Sequence, residues 1–262
     1  MKVAILAGGV GSRLAEETLV KPKPMVEIGG KPILWHIMKY YHQFDFRHFL
    51  VALGYKGDYV KRWFVDYASL TADLTVDLGN GTYAQHSAER DDWIVDLIDT
   101  GQATGTAARI KRLAPHLHDG TFMATWGDGV STVDLRSLVN FHRAHGRIAT
   151  LTAVRPPARF GHVELDGDRV AEFSEKPQTG EGWISGAFFV LEPEVFDYID
   201  DEDKTMFEQA PLKRLASDGQ LMAFRHYGFW QCMDTLRDKK RLEVLWDSGR
   251  APWHLWANDG HR

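Results

Sequence analysis

Residues 1–14 read MKVAILAGGVGSRL, and residues 21–37 read KPKPMVEIGGKPILWHI. The first stretch decides the fold. Val3 to Ala7 are small and apolar, as a buried strand requires. The chain then runs into Gly8, Gly9 and Gly11, followed by Ser12 and Arg13, with Lys23 a short way on. A strand that feeds a glycine loop presents backbone N–H groups at the carboxyl edge of a sheet, where they bind anions. Glycine lets that backbone approach a ligand closely. Two familiar phosphate motifs do not fit. The dinucleotide fingerprint G-x-G-x-x-G meets Leu14 at its third glycine, and no Gly-Lys pair completes a P-loop. On these residues alone, a phosphate-binding turn and a plain structural turn both remain open.

Working outward, strand-like and helix-like runs alternate. HFLVAL (48–53), TFMATWGD (121–128) and ATLTAV (149–154) read as strands. PILWHIMKYYHQF (32–44), DYVKRWFVDYA (58–68) and VDLRSLVNFHRAHG (133–146) read as helices, the last with a glycine stop. This order predicts an α/β protein with a mainly parallel central sheet. Residues 71–99, which alternate around Gly79-Asn80-Gly81, and the strand-rich stretch 159–190 break the pattern. Both are expected as antiparallel additions, including a small side sheet. The chain shows no repeat and no linker-like tract, so residues 1–262 are expected to form a single domain.

Composition narrows the classes. Of 262 residues, 44% are hydrophobic and 26% charged, an ordinary globular balance. A net charge of -5 gives no basis for a nucleic-acid partner. No apolar run approaches the roughly 18 to 20 residues that span a bilayer. The one cysteine, Cys232, cannot form an internal disulfide, which favours a cytoplasmic setting.

LAGGVGSRL followed by KPKPMVEIGGKPILWHI resembles the G-x-G-[ST]-R and Lys-Pro signature of the sugar-phosphate nucleotidyltransferase family. The likeness continues through TWGDGV (125–130), RFG (159–161), EKP (175–177), SGAFFV (185–190), GFWQCMDTLRDK (228–239) and APWHLW (251–256). In that order the strings are similar to the glucose-1-phosphate cytidylyltransferase branch. The resemblance implies a Rossmann-like three-layer fold. It implies attack of a sugar 1-phosphate on the α-phosphorus of a nucleoside triphosphate, with CTP and α-D-glucose 1-phosphate as the substrates and Mg²⁺ as cofactor. A homo-oligomer is expected on the same ground.

The resemblance also assigns residues. Leu6, Gly8, Gly9, Gly11 and Ser12 would bind the nucleotide, together with Arg13, Lys23 and Arg109. Arg13, Lys23 and Asp128 would be catalytic. Lys23 rather than Lys21 holds the position directly before Pro-Met. Asp128 and Asp234 would hold the metal. Glu175, Lys176 and Gly186 would contact the sugar phosphate. Phosphoryl transfer builds charge on anionic oxygens, so cations, a metal and a close-fitting backbone are the parts it needs.

The sequence departs from the family at three places. Ala107 and Ala108 replace a glycine pair before Arg109, Ser12 replaces threonine, and Cys232 replaces proline. The alanines leave open another nucleotide, or another sugar or cyclitol phosphate. A non-catalytic, nucleotide-sugar-binding regulatory subunit is a further alternative. Several features carry plainer readings. The Gly-Asp-Gly around Asp128 suits a tight turn, and Asp234 could cap the helix TLRDKKRLEVLW. His142 and His145 are expected as exposed histidines on a solvated face, and DDED (200–203) as a solvated turn. Trp230 is read as core. Cys232 is read as unreactive, since the expected reaction needs no covalent step.

Overall fold

The computed structural model describes residues 1–86, 91–156, 162–166, 169–174 and 182–256. Seven strands make the central sheet: β1 (Lys2–Leu6), β2 (His48–Leu53), β3 (Ile94–Asp99), β4 (Phe122–Trp126), β5 (Ala149–Val154), β6 (Ile184–Leu191) and β7 (Leu221–His226). Their order across the sheet is β7-β5-β6-β4-β1-β2-β3. Neighbours run parallel except at β6, which is antiparallel to both β5 and β4.

The apolar run in β1 follows from its place near the middle. Val3 and Ile5 point into one buried cluster with Met25, Leu34 and Phe49. Ala4 and Leu6 point into the opposite cluster with Leu50, Ile110 and Phe189. A parallel strand covered on both faces cannot alternate apolar with polar, so it reads as a continuous hydrophobic stretch. The longer helices are α1 (Ile33–His42), α2 (Gly57–Leu70), α3 (Thr106–Arg112), α4 (Leu135–His145), α5 (Ala210–Ser217) and α6 (Leu236–Asp247). Helices α1, α4 and α6 pack on the Val3 side; α3 and α5 pack on the Ala4 side. The mainly parallel sheet is what the alternation predicted, and the three layers are what the resemblance implied.

Local signals set the helix ends. The Asp134 carboxylate accepts the Ser137 N–H at 3.0 Å and starts α4. Gly146, at φ 60°, stops it. Thr235 and Asp238 form a reciprocal capping box at the start of α6. The cap is therefore Thr235, one residue beyond the Asp234 suggested by sequence, which leaves the Asp234 carboxylate for other work.

Three expectations need correction. Residues 73–77 and 82–86 do form a hairpin, but Ile94–Asp99 is a parallel edge strand of the central sheet, not part of an antiparallel addition. His162–Asp166 and Arg169–Ser174 do pair as a separate antiparallel unit, whereas β6 is inserted within the main sheet. His142 is buried rather than solvated: it bonds Thr150 Oγ1 at 2.8 Å and Glu192 Oε1 at 3.0 Å. The DDED turn is exposed as read, and Lys111 and Arg112 pair with its Asp201 and Asp203 at 2.8 and 2.5 Å. Among the described residues no helix is long and apolar enough to cross a membrane.

Helix α1 is buried along most of its length because tryptophans from the last part of the chain cover it. Trp246, Trp253 and Trp256 surround His36, with the Trp246 ring 4.6 Å away edge-on. His36 Nε2–H donates to the Ile28 carbonyl at 2.8 Å. Burial pushes its pKa down to about 4, and His254 adds to that shift. The unfolded chain therefore binds this proton at higher pH than the folded one. The stability is fully present above about pH 6.5 and is lost as pH falls toward 4, by up to about 3 kcal/mol. Urea unfolding at pH 7 and pH 4.5 should show His36→Gln losing much less stability between the two conditions than the unaltered protein does.

Candidate active site

The glycine loop leaves β1 over the carboxyl ends of the parallel strands. Gly11, at φ 68°, turns the chain into a short 3-10 turn at Ser12–Leu14. A side chain there would also press on Lys23 and Thr18, since a β-carbon on Gly11 would lie 3.0 Å from each. Gly8 is glycine for a different reason. A β-carbon on it would lie 2.1 Å from Arg109 Nη1.

Arg109 is only 3% exposed and sits beneath the loop. Its Nη1 donates to the Leu53 and Gly101 carbonyls at 2.9 and 2.8 Å and to the Thr100 hydroxyl at 2.7 Å. Its Nη2 donates to the Gly8 carbonyl at 3.0 Å. These acceptors lie at or just past the ends of β1, β2 and β3. Arg109 thus ties three neighbouring strand ends together, while its edge lines the cavity above. Burial lowers its pKa from the usual arginine value, with Arg112 adding to the effect. Ala107 and Ala108 are both buried, and Ala107 packs in the Ala4-side core. The methyl group of Ala107 therefore fills core space rather than crowding a base.

The charged centre is built by pairing two distant turns. Gly129–Ser131 forms a short antiparallel ladder with Trp230–Cys232. The ladder continues as the Met233 N–H donates to the Asp128 carbonyl at 2.8 Å. Asp128 and Asp234 thereby arrive at one point. Lys23 Nζ bonds Asp128 at 2.6 Å and Asp234 at 2.5 Å, and Arg13 Nη1 reaches Asp234 at 2.9 Å. Burial opposes the Lys23 charge, but the Asp128 and Asp234 carboxylates outweigh it and hold its pKa above the usual lysine value. Lys21 faces elsewhere and pairs with Glu27 at 3.3 Å. Cys232 is also close. Burial first, then the neighbouring carboxylates, push its thiol up to about 12, so it stays protonated.

Asp128 and Asp234 suit a hard divalent cation. Mg²⁺ commonly takes one or two carboxylates and completes its octahedron with phosphate oxygens and water. Here two carboxylates already share one ammonium at the cavity wall. The donor set fits Mg²⁺.

A cavity of about 380 Å³ lies over this floor. Leu6, Gly8, Gly9, Gly11 and Ser12 line it, together with Arg13, Lys23, Asp128 and Asp234. The lining also holds residues that no motif in the sequence singles out: Thr104, Thr106, Trp126, Met206 and Glu208. Trp126 stands in the TWGDGV string only as a neighbour of Asp128, and Glu208 lies in TMFEQA, which matches no motif. Gly186 is on β6 and is not among the residues lining this cavity, and its carbonyl accepts the Trp230 indole N–H at 2.8 Å. Trp230 is half-buried against the core as well as tied to Gly186. Glu175 and Lys176 lie outside the described residues.

A Rossmann-like sheet with a glycine loop, paired cations and paired carboxylates at its carboxyl edge defines a nucleotide-transfer site. The family model for nucleotidyl transferases matches residues 2–236, and the chain belongs to that family. It is 50% identical over 257 residues to the glucose-1-phosphate cytidylyltransferase of Salmonella typhi, covering 98% of this chain and all of that protein. It is 41% identical over 256 residues to a probable glucose-1-phosphate cytidylyltransferase of Bacillus subtilis, again covering 98% of this chain and all of that one. The crystal structure of HddC from Yersinia pseudotuberculosis shares the fold, with a TM-score of 0.69 at 24% identity over 94% of this chain and 99% of that chain.

The bracing by Arg109 can be tested without assaying activity. Arg109→Lys keeps the charge and replaces the planar fork with one ammonium, so buried carbonyls lose their donors. The expected cost is about 2 to 3 kcal/mol, read as a lower urea midpoint. Unchanged stability would contradict the bracing role.

Proposed function

We infer that this chain transfers a cytidylyl group from CTP to α-D-glucose 1-phosphate, giving CDP-glucose and pyrophosphate. A phosphate oxygen of the sugar phosphate attacks the α-phosphorus. The bond from that phosphorus to the bridging oxygen breaks, and pyrophosphate leaves with the bond's electrons. The reading rests on one observation above all: Arg13, Lys23, Asp128 and Asp234 converge beside the glycine loop. The full-length similarity to the Salmonella and Bacillus cytidylyltransferases supports the choice of substrates.

The chain's own residues divide the work. Backbone N–H groups of the glycine loop hold phosphate oxygens. Arg13 is 72% exposed, so its guanidinium is accessible to a bidentate phosphate contact. Lys23, as a compact charge on a flexible stem, neutralises the leaving pyrophosphate. Arg109 keeps the loop carbonyls in place and so fixes where those N–H groups point. Asp128 and Asp234 would hold Mg²⁺, which supplies positive charge to phosphate oxygens. Glu175 and Lys176 remain assigned to the sugar phosphate on their match to the EKP string, and Gly186 on its match to SGAFFV.

Ala107 and Ala108 are both buried and neither is among the residues lining the cavity, which supports keeping CTP as the nucleotide. The reading also includes a cytoplasmic setting, supported by the single free thiol Cys232. Self-association is part of it too, supported by the exposed Leu74, Val76, Leu78 and Tyr83 of the 73–86 hairpin; sedimentation should give a mass above that of one chain.

Incubation with four nucleoside triphosphates and several sugar 1-phosphates, with and without Mg²⁺, tests the central claim. CDP-glucose and pyrophosphate should form in equal amounts and only with the metal. Preference for another base would overturn the cytidylyl assignment. Turnover without any divalent ion would overturn the role given to Asp128 and Asp234. Lys23→Ala should lower kcat by about 10² to 10³, the range for losing one preorganised charge partner of a transition state.

A further inference from the structure

The cavity lining mixes two kinds of charged group. The glycine loop, Arg13 and Lys23 suit phosphates, and a carboxylate, Glu208, is fixed by two donors. The Trp126 indole N–H donates to Glu208 Oε1 at 2.9 Å. The Thr106 hydroxyl donates to Glu208 Oε2 at 2.6 Å. Thr106 in turn accepts the Phe207 N–H at 2.8 Å, and the Ala107 N–H donates to the Thr205 carbonyl at 3.1 Å. Phe207 is fully buried against Phe189, 5.6 Å away edge-on. The segment carrying Glu208 is therefore anchored to the start of α3 and to the core.

No ion pair of Glu208 occurs among the described residues. An ionised carboxylate only accepts hydrogen bonds, and each of its oxygens has more than one lone pair. Among the described residues each Glu208 oxygen takes one bond from the protein, so accepting capacity remains and can face the cavity. A phosphate is repelled there. A neutral N–H donor is attracted. Of the two pyrimidines of ribonucleotides, cytosine has an amino group at C4 and uracil has a carbonyl oxygen, an acceptor, at the same place. The backbone of the phosphate loop cannot make that distinction, because both nucleotides carry the same triphosphate.

We propose that Glu208, oriented by Trp126 and Thr106, is the specificity-determining residue that accepts the 4-amino group of cytosine and rejects uracil. The proposal rests on the reading of this cavity as the CTP site. A site built around a hydrogen bond discriminates strongly against an analogue that cannot make it. Trp126 is a positioning residue, since it acts through the carboxylate it holds.

The test is the ratio of kcat/KM for CTP to that for UTP, at saturating glucose 1-phosphate, in three proteins. The unaltered chain should favour CTP. Glu208→Gln offers an amide donor as well as an acceptor, and should lower the ratio at least about tenfold while leaving the KM for glucose 1-phosphate unchanged. Trp126→Phe keeps an aromatic ring against Phe189 but removes the N–H, and should lower the ratio by a smaller factor. If Glu208→Gln does not fold, Trp126→Phe decides. If the variants lose CTP and UTP turnover in equal proportion, Glu208 contacts a part common to both nucleotides and the proposal fails. If the unaltered chain makes no CDP-glucose at all, the underlying reading of the site fails instead.

Discussion

The structure depends on one ammonium held by two carboxylates. Lys23, Asp128 and Asp234 come from parts of the chain that share no local sequence relation, and their side chains are 13%, 25% and 16% exposed. Two carboxylates this close repel each other unless a cation lies between them. The ammonium supplies that cation, and the short ladder between Gly129–Ser131 and Trp230–Cys232 sets the separation. Neither part suffices alone. The ladder without Lys23 would press two negative charges together. Lys23 without the ladder would lose half its partners and keep its desolvation cost. The same geometry that stabilises the site is what a nucleotide and a divalent ion would exploit, because the carboxylates and the ammonium are already fixed where opposite charges are needed.

Arg109 is the second organising residue, and it changes how the glycines are understood. Strand ends in a parallel sheet leave carbonyls and N–H groups without partners. Here one guanidinium takes up carbonyls at the ends of β1, β2 and β3 at once. Space for it is the reason for two glycines: a β-carbon on Gly8 would lie 2.1 Å from its Nη1, and one on Gly54 would lie 2.5 Å from the same atom. The sequence suggested that Gly8 is small so that a ligand can approach. The structure gives a protein-internal reason first, and the ligand surface is the other side of the same braced loop.

Much of this was legible from residues alone, and the exceptions have physical causes. Strand β1 announced itself because burial on both faces forces a continuous apolar run. Helix α4 did so because its apolar spacing and its glycine stop are local. The place of Ile94–Asp99 was hidden, because strand order in space is a tertiary fact and the Gly79-Asn80-Gly81 turn advertised a hairpin nearby. His142 and His145 share a side of their helix, yet periodicity does not say which side meets the sheet, and His142 faces Thr150 within it and Glu192 just past the end of β6. Asp234 was found through its string, while the capping role passed to Thr235 because that residue completes a reciprocal pair with Asp238. Glu208 was invisible for a simpler reason. Its significance lies in Trp126 and Thr106, which reach it from separate segments, and no window of sequence contains all three.

These features together give the cavity a direction. The whole chain carries a charge of -5, so no general field draws a nucleotide inward. Attraction must be local, and locally the cavity is polarised. Its lining presents the glycine loop and the exposed Arg13, and also Glu208, a carboxylate without an ion-pair partner among the described residues. A triphosphate carries most of a nucleotide's charge, so the reversed orientation sets like charges against each other at Glu208 and leaves Arg13 facing a neutral ring. On the proposed reading of the site, these groups of opposite charge would favour one orientation before any base-specific contact forms. That preference needs both groups to stay rigid, and the two braces that hold them, Arg109 and the Thr106–Phe207 contact, meet on α3. One short helix thus braces both the glycine loop, through Arg109, and the Glu208 carboxylate, through Thr106.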